Sequence, residues 1–141
     1  MNLEKYSFWW SEARLVIAAL ALFLGGNSPA IWFNPIQELF GLILLLLTLS
    51  WIVSGVASGY LLYRWVHNDK KLFGKKSGLD TAAFLVSAIS GINVGLAGVA
   101  GKNFGMALVS NKFIFALVGL LYLASAMYLF WRFRESGERI F

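Results

Sequence analysis

The sequence predicts an all-α polytopic membrane protein, a bundle of four transmembrane helices, and three observations predict it. Hydrophobic residues make up 59% of the chain and charged residues 13%, with a mean hydropathy of +0.70; soluble domains carry roughly 25% charged residues. The few charges crowd between long apolar segments, as in chains that cross a bilayer. Lysine and arginine are divided very unequally among the connections between those segments. No linker, low-complexity tract or internal repeat divides the chain, so residues 1–141 read as a single membrane domain.

The first span is expected at about 8–24, around the apolar heart "LVIAALALFL". The second is expected at 35–66. Asn34 can cap it, Pro35 suits the first helical position, and Gln37 sits where a capping-box partner belongs. At 1.5 Å per residue it reaches roughly 48 Å, beyond the roughly 30 Å hydrocarbon core. It must therefore tilt, kink near Gly55 and Gly59, or project from the bilayer. The third span, 81–101, follows Asp80, read as its N-cap. The fourth is expected at 112–133.

Four spans place both termini on the side of the connection between the second and third. Lys5, Arg14, Arg64, Lys70, Lys71, Lys75, Lys76, Arg132, Arg134 and Arg139 then share one side, and Lys102 and Lys112 the other. Ten against two predicts cytoplasmic termini in a bacterial cytoplasmic (inner) membrane protein. The net charge of +5 is thereby accounted for by topology. The basic stretch "HNDKKLFGKK" is read as meeting lipid headgroups, with no nucleic acid as partner. Trp9, Trp10, Tyr63, Trp65, Tyr128 and Trp131 on the inner side, with Trp32 and Phe33 on the outer, read as interfacial belts. Ser28 and Ala30 would satisfy a signal-cleavage pattern. Glu4, Glu12 and two tryptophans at the segment's start argue that it is retained.

The third span separates by size on a helical wheel. Leu85, Ile89, Ile92, Leu96 and Val99 form a bulky stripe. Ser87, Gly91, Gly95 and Gly98 form a small face opposite, widened by Ala83, Ser90, Ala97 and Gly101. In lipid, helices are held by close approach, so the small face reads as a packing surface against another segment or a second copy. Ser50, Ser54 and Ser58, four apart on the second span, read either as packing hydroxyls bonded to the preceding turn or as a pore lining. Asn93, at the edge of the small face, needs partners in hydrocarbon. The serine row offers them, and lining a pore is the alternative.

The stretch "GINVGLAGVAGKNFGMAL" followed by "FALVGLLYL" resembles the YuzA-like small bacterial membrane proteins (domain of unknown function 378). The matching positions are Gly91, Asn93, Gly95, Leu96, Gly98, Phe104, Val118, Gly119 and Leu120, within a helix pair at about 83–130. The resemblance implies a membrane helix pair and brings no activity, ligand or site residue.

The absence of cysteine excludes disulfides and thiolate chemistry. The one histidine, His67, lies in a connection, and no nucleophile–base pair or metal-ligand cluster is visible, so neither an enzyme nor a cofactor is expected. Glu12 and Glu38 lie near the expected helix starts and read as anchors at the headgroups; a proton-coupling role for Glu12 is weakened by its shallow position and by Arg14. Two functions remain. The first is a structural or accessory protein that assembles through small-residue faces into a homo-oligomer or larger membrane complex. The second is a small oligomeric channel for ions or small solutes, lined by Ser50, Ser54, Ser58 and Asn93. The lack of charge deep in any expected span favours the first.

Overall fold

The structure is a computed structural model that describes residues 2–25, 39–101, 103 and 111–141. Trp32, Phe33, Asn34, Pro35, Gln37, Glu38, Ser28, Ala30, Lys102 and Phe104, which carried several of the expectations above, lie outside the described residues. Among the described residues all regular structure is helical. The elements are α1 (Leu3–Phe23), α2 (Phe40–His67), α3 (Gly78–Ala100) and α4 (Lys112–Glu135). Three of them, α2, α3 and α4, are long and apolar enough to cross a membrane. α1 is not among these, because Glu12 and Arg14 interrupt its apolar run.

Successive helices run antiparallel. α1 packs on α2 and α4, α3 packs on α2 and α4, and α1 also touches α3 across the middle. The pairs Ser11–Ser58, Gly55–Gly95, Asp80–Arg132 and Phe8–Phe133 fix these directions. α2 continues unbroken through Gly55 and Gly59, with no interruption where a kink was expected. At 1.5 Å per residue its 28 residues give about 42 Å.

Two helix starts differ from the expected ones. Ser77, not Asp80, caps α3: its hydroxyl accepts from the Asp80 N–H at 3.4 Å, and Asp80 lies within the first turn. The Asp80 carboxylate is thereby free to reach across to α4. α1 begins at Leu3 rather than near Phe8, which carries Glu12 about two and a half turns into the helix. Gly101, assigned above to the small face, instead ends α3 in the left-handed conformation at φ 67°, where a glycine terminates a helix without strain. Asn111 caps α4, its side-chain oxygen accepting from Phe113 N–H at 2.9 Å.

The main apolar core lies at the end where the N-terminus, the α2–α3 connection and the C-terminus meet. Phe8, Leu61, Trp65, Leu72, Phe73, Phe84, Leu129, Phe133 and Ile140 are buried there. Phe8 stacks on Phe133 with centroids 4.8 Å apart and meets Phe73 edge-on at 6.3 Å. Trp65, read as an interfacial residue, is part of this core, 5.7 Å from Phe84. The connection itself is a plug. Leu72 and Lys75 exchange backbone bonds of 2.9 Å, and this tight turn drives Leu72 and Phe73 inward while Lys70, Lys71, Lys75 and Lys76 stay exposed. Phe73 N–H donates to the Ile140 carbonyl at 2.7 Å, so the C-terminal residues close the same end.

Ion pairs surround this core. Arg132 donates to Asp80 at 2.9 and 3.0 Å, Tyr128 adds a 2.6 Å bond to the same carboxylate, and Arg64 pairs with Glu4. Lys5 bonds Glu138 at 2.8 Å and holds its carboxyl below the ordinary range. This exposed tie is therefore present at neutral pH and is lost as acid protonates Glu138.

Candidate functional site: a buried polar cluster between three helices

Further along the helices the interior changes from apolar to polar. On α1 the residues Phe8, Glu12, Leu15 and Ala19 recur at intervals of four, three and four, with Ser11 beside Glu12, and all are buried. This is one helical stripe, so burying Phe8 and Leu15 takes Glu12 inward with them. Glu12 is 5% exposed and Arg14 8%. Arg14, counted above among the cytoplasmic cations, is thus an interior residue, and Glu12 is not a surface anchor.

Both side chains converge on Ser87 of α3. Its hydroxyl donates to Glu12 Oε1 at 2.9 Å, while its carbonyl accepts from Arg14 Nη2 at 2.9 Å. Arg14 Nη1 donates to Ser90 Oγ at 3.0 Å. α2 joins through Ser58, whose hydroxyl lies 3.1 Å from that of Ser11, and through Ser54, which accepts from the Trp10 indole N–H at 2.9 Å. The cluster therefore ties α1 to both α2 and α3. Charge-assisted bonds of this kind compensate part of the cost of removing an arginine and a carboxylate from water. The compensation is incomplete: Glu12 Oε2 and Arg14 Nε are buried without a hydrogen-bond partner among the described residues.

The small face of α3 lies against α2. A Cβ added at Gly55 would come within 2.7 Å of Gly95 Cα, and one at Gly98 within 3.1 Å of Trp51 Cβ. A Cβ at Gly91 would collide with the Ser58 side chain and come within 3.2 Å of Arg14 Nη2. Ser87, Gly91 and Gly95 are buried, whereas Ile89, Leu96 and Val99 of the bulky stripe face outward. Glycine at 91 and 95 thus sets how closely α2 approaches α3, and that distance brings Ser58 to Ser11.

The serine row does not act as one unit. Ser50 Oγ donates to the Leu47 carbonyl at 2.7 Å and Ser54 Oγ to the Ser50 carbonyl at 2.6 Å. Ser58, as seen above, turns to α1 instead. Asn93 lies apart from all three and donates to Asn103 Oδ1 at 2.9 Å, so the expected tie between Asn93 and the serine row is replaced by one near the end of its own helix. A side-chain hydrogen bond of this kind contributes about 0.5–1.5 kcal/mol net. Asn93→Ala is expected to cost that much in thermal unfolding, and the cost should shrink when Asn103 is already alanine. Full additivity of the two changes would show that the bond contributes nothing.

Three long apolar helices and a polar cluster turned away from the outer surface define the class: an α-helical membrane protein. No family model matches the chain, and neither a characterised protein nor a solved structure does.

Proposed function

We propose that the chain is a small structural or accessory protein of the bacterial cytoplasmic membrane, with four helices in the bilayer and both termini cytoplasmic. One observation carries the reading: the small and polar interior residues are committed to contacts between helices. Gly55 lies on Gly95, Ser11 on Ser58, Trp10 on Ser54 and Glu12 on Ser87. In lipid, such close approaches and interhelical hydrogen bonds are what hold helices together. α1 serves as a fourth span because its two interior charges turn toward protein rather than lipid. The gathering of Lys5, Arg64, Lys70, Lys71, Lys75 and Lys76 about one end supports cytoplasmic termini. Cysteines placed singly at Lys70 and Asn103 are expected to label from opposite sides of the membrane. Labelling from the same side would overturn the topology.

Partner contacts fall to the faces left over. From Phe40 to Leu49 the first turns of α2 expose Phe40, Leu42, Leu44, Leu45, Leu46 and Leu49, and α3 exposes Ile89, Leu96 and Val99 of its bulky stripe. These faces are the ones a homo-oligomer or larger complex uses. Native mass measurement from lipid should return a discrete assembly above the 15.7 kDa monomer; monomer alone, with no co-purifying protein, would overturn the assembly. The channel reading, with Ser50, Ser54, Ser58 and Asn93 as lining, is disfavoured by the closure of Ser54 and Ser58 into helix contacts. A solute leak in vesicles that Ser58→Ala alters without loss of assembly would promote it.

A further inference from the structure

The end of the bundle that carries the plug is more basic than its own acids can neutralise. Among the described residues every acid except Glu12 is in an ion pair there: Glu4 with Arg64, Asp69 with Lys71, Asp80 and Glu135 with Arg132, and Glu138 with Lys5. Lys70, Lys75, Lys76, Arg134 and Arg139 are exposed at the same end and are in no ion pair among the described residues. Asp80 and Glu138 act on Lys75 and Arg134 at longer range, but each is already bonded to another cation. The positive charge of these residues is therefore left over.

These cations stand on a fixed base. The Leu72–Lys75 turn and the burial of Leu72 and Phe73 anchor the backbone between Lys70 and Lys76. The C-terminal residues dock on that turn through the Phe73 bond to Ile140, and Ser136 Oγ donates to the Arg139 carbonyl at 2.7 Å. Their level along the bundle follows from the helix surfaces that lead to them. On the outer face of α4, Met127, Trp131 and Arg134 follow at spacings of four and three, and all are exposed. On α2, Val56 and Tyr63 are exposed on one face, and Lys70 comes just past the helix end. Each surface passes from apolar through aromatic to cationic, the order from hydrocarbon through interface to headgroup.

We infer that this end binds anionic phospholipids by their headgroups, whose phosphate oxygens accept from Lys70, Lys75, Lys76, Arg134 and Arg139. Lysine and arginine offer only donors, which suits a headgroup of phosphate oxygens. Each cation close to an anionic leaflet raises affinity by about fivefold. The alignment of Arg134 above Met127 and Trp131 directs it to the bilayer rather than to a soluble acidic partner. The plug and the C-terminal turn both contribute to the core, so lipid bound there also stabilises the fold. The inference rests on the reading of the chain as a membrane bundle and adds the class of lipid; it does not depend on the assembly or on the absence of flux.

The test titrates the full chain in a neutral detergent with phosphatidylglycerol and reads lipid-bound against free protein by native mass measurement. Phosphatidylcholine with the same acyl chains is the zwitterionic control, and glycerol phosphate is the soluble phosphate ester. Phosphatidylglycerol should bind at least about tenfold more tightly than phosphatidylcholine and raise the thermal midpoint more. Lys75→Gln with Lys76→Gln, and Arg134→Gln with Arg139→Gln, should each lower that preference at least about threefold. Lys112→Gln, exposed at the opposite end, should leave it unchanged. The substituted residues are exposed and outside the ion pairs, so the variants should keep the wild-type midpoint without lipid. Equal affinity for the two lipids, or a preference that both double variants retain, would overturn the proposal. Glycerol phosphate bound as tightly as phosphatidylglycerol would assign the cations to a soluble anion and overturn it as well. A chain that inserts into bilayers without lipid preference refutes this inference alone, whereas one that stays soluble without detergent refutes the membrane reading.

Discussion

Replacing Gly95 by leucine is expected to be the most damaging single change in the interior of this protein. Gly95 and Gly55 face each other across the α2–α3 contact, backbone against backbone, and a Cβ on either would already meet the other's Cα. Neither neighbour is a side chain that can rotate away, so the helices themselves must separate. Overpacking in a well-packed core typically costs about 1–3 kcal/mol, and here the separation also stretches the Ser11–Ser58 hydrogen bond and the Arg14 bonds to Ser87 and Ser90. The expected loss is at the upper end of that range, read as a lowered thermal midpoint or reduced resistance to denaturing detergent. Gly95→Ala should show the same effect at smaller size. Ile92→Leu, outside the small face and close in volume, should be nearly silent; equal effects from Gly95→Leu and Ile92→Leu would contradict this packing.

Arg132→Met is expected to follow closely. Asp80 is 0% exposed, and its carboxylate takes two bonds from Arg132 and one from Tyr128. Removing the arginine leaves a buried carboxylate with a phenol as its remaining side-chain partner in the cluster. Deleting one member of a buried ion pair typically costs about 3–5 kcal/mol, because the other charge stays buried. The lower end applies here, since Tyr128 continues to donate. Arg134→Met is the control: Arg134 is exposed and lies over the Phe130 ring at 5.9 Å, a contact of about 0.5–1 kcal/mol at such a site. Asp80→Asn combined with Arg132→Met should recover part of the loss, because no uncompensated charge then remains. A loss no larger than that of Arg134→Met would mean that Asp80 reaches water in the folded protein.

Much of the architecture was legible from local pattern. Helices α2, α3 and α4 follow from unbroken apolar runs long enough to cross a bilayer, and their far ends at Ala100 and Glu135 fall within two residues of the expected positions. The size division of α3 also follows from spacing alone, since a residue's direction on a helix is set by its place in a 3.6-residue period. What such reasoning missed lies on α1. With that helix begun near Phe8, Glu12 falls in its first turn and reads as an anchor. Begun at Leu3, the same residue falls on the stripe of Phe8, Ser11, Leu15 and Ala19. The signal was present, because that spacing joins Glu12 to two large apolar residues, but hydropathy alone argues against continuing a span through Glu4 and Lys5.

The remaining features depend on pairings between distant segments. Ser87 meets Glu12 across 75 positions of sequence, Asp80 meets Arg132 across 52, and Ser11 meets Ser58 across 47. Periodicity states which side of its own helix a serine occupies, but not which neighbour stands there. That neighbour is set by the order in which helices pack and by how closely they approach. The Gly55–Gly95 contact brings α2 against α3, and α1 packs across both with its polar stripe turned toward them. The composition and period of this chain therefore determine a set of membrane helices and their small faces. The docking of α1 decides that Glu12 and Arg14 are interior charges, because a buried polar group must find its partners on whichever helices the packing brings within hydrogen-bond reach.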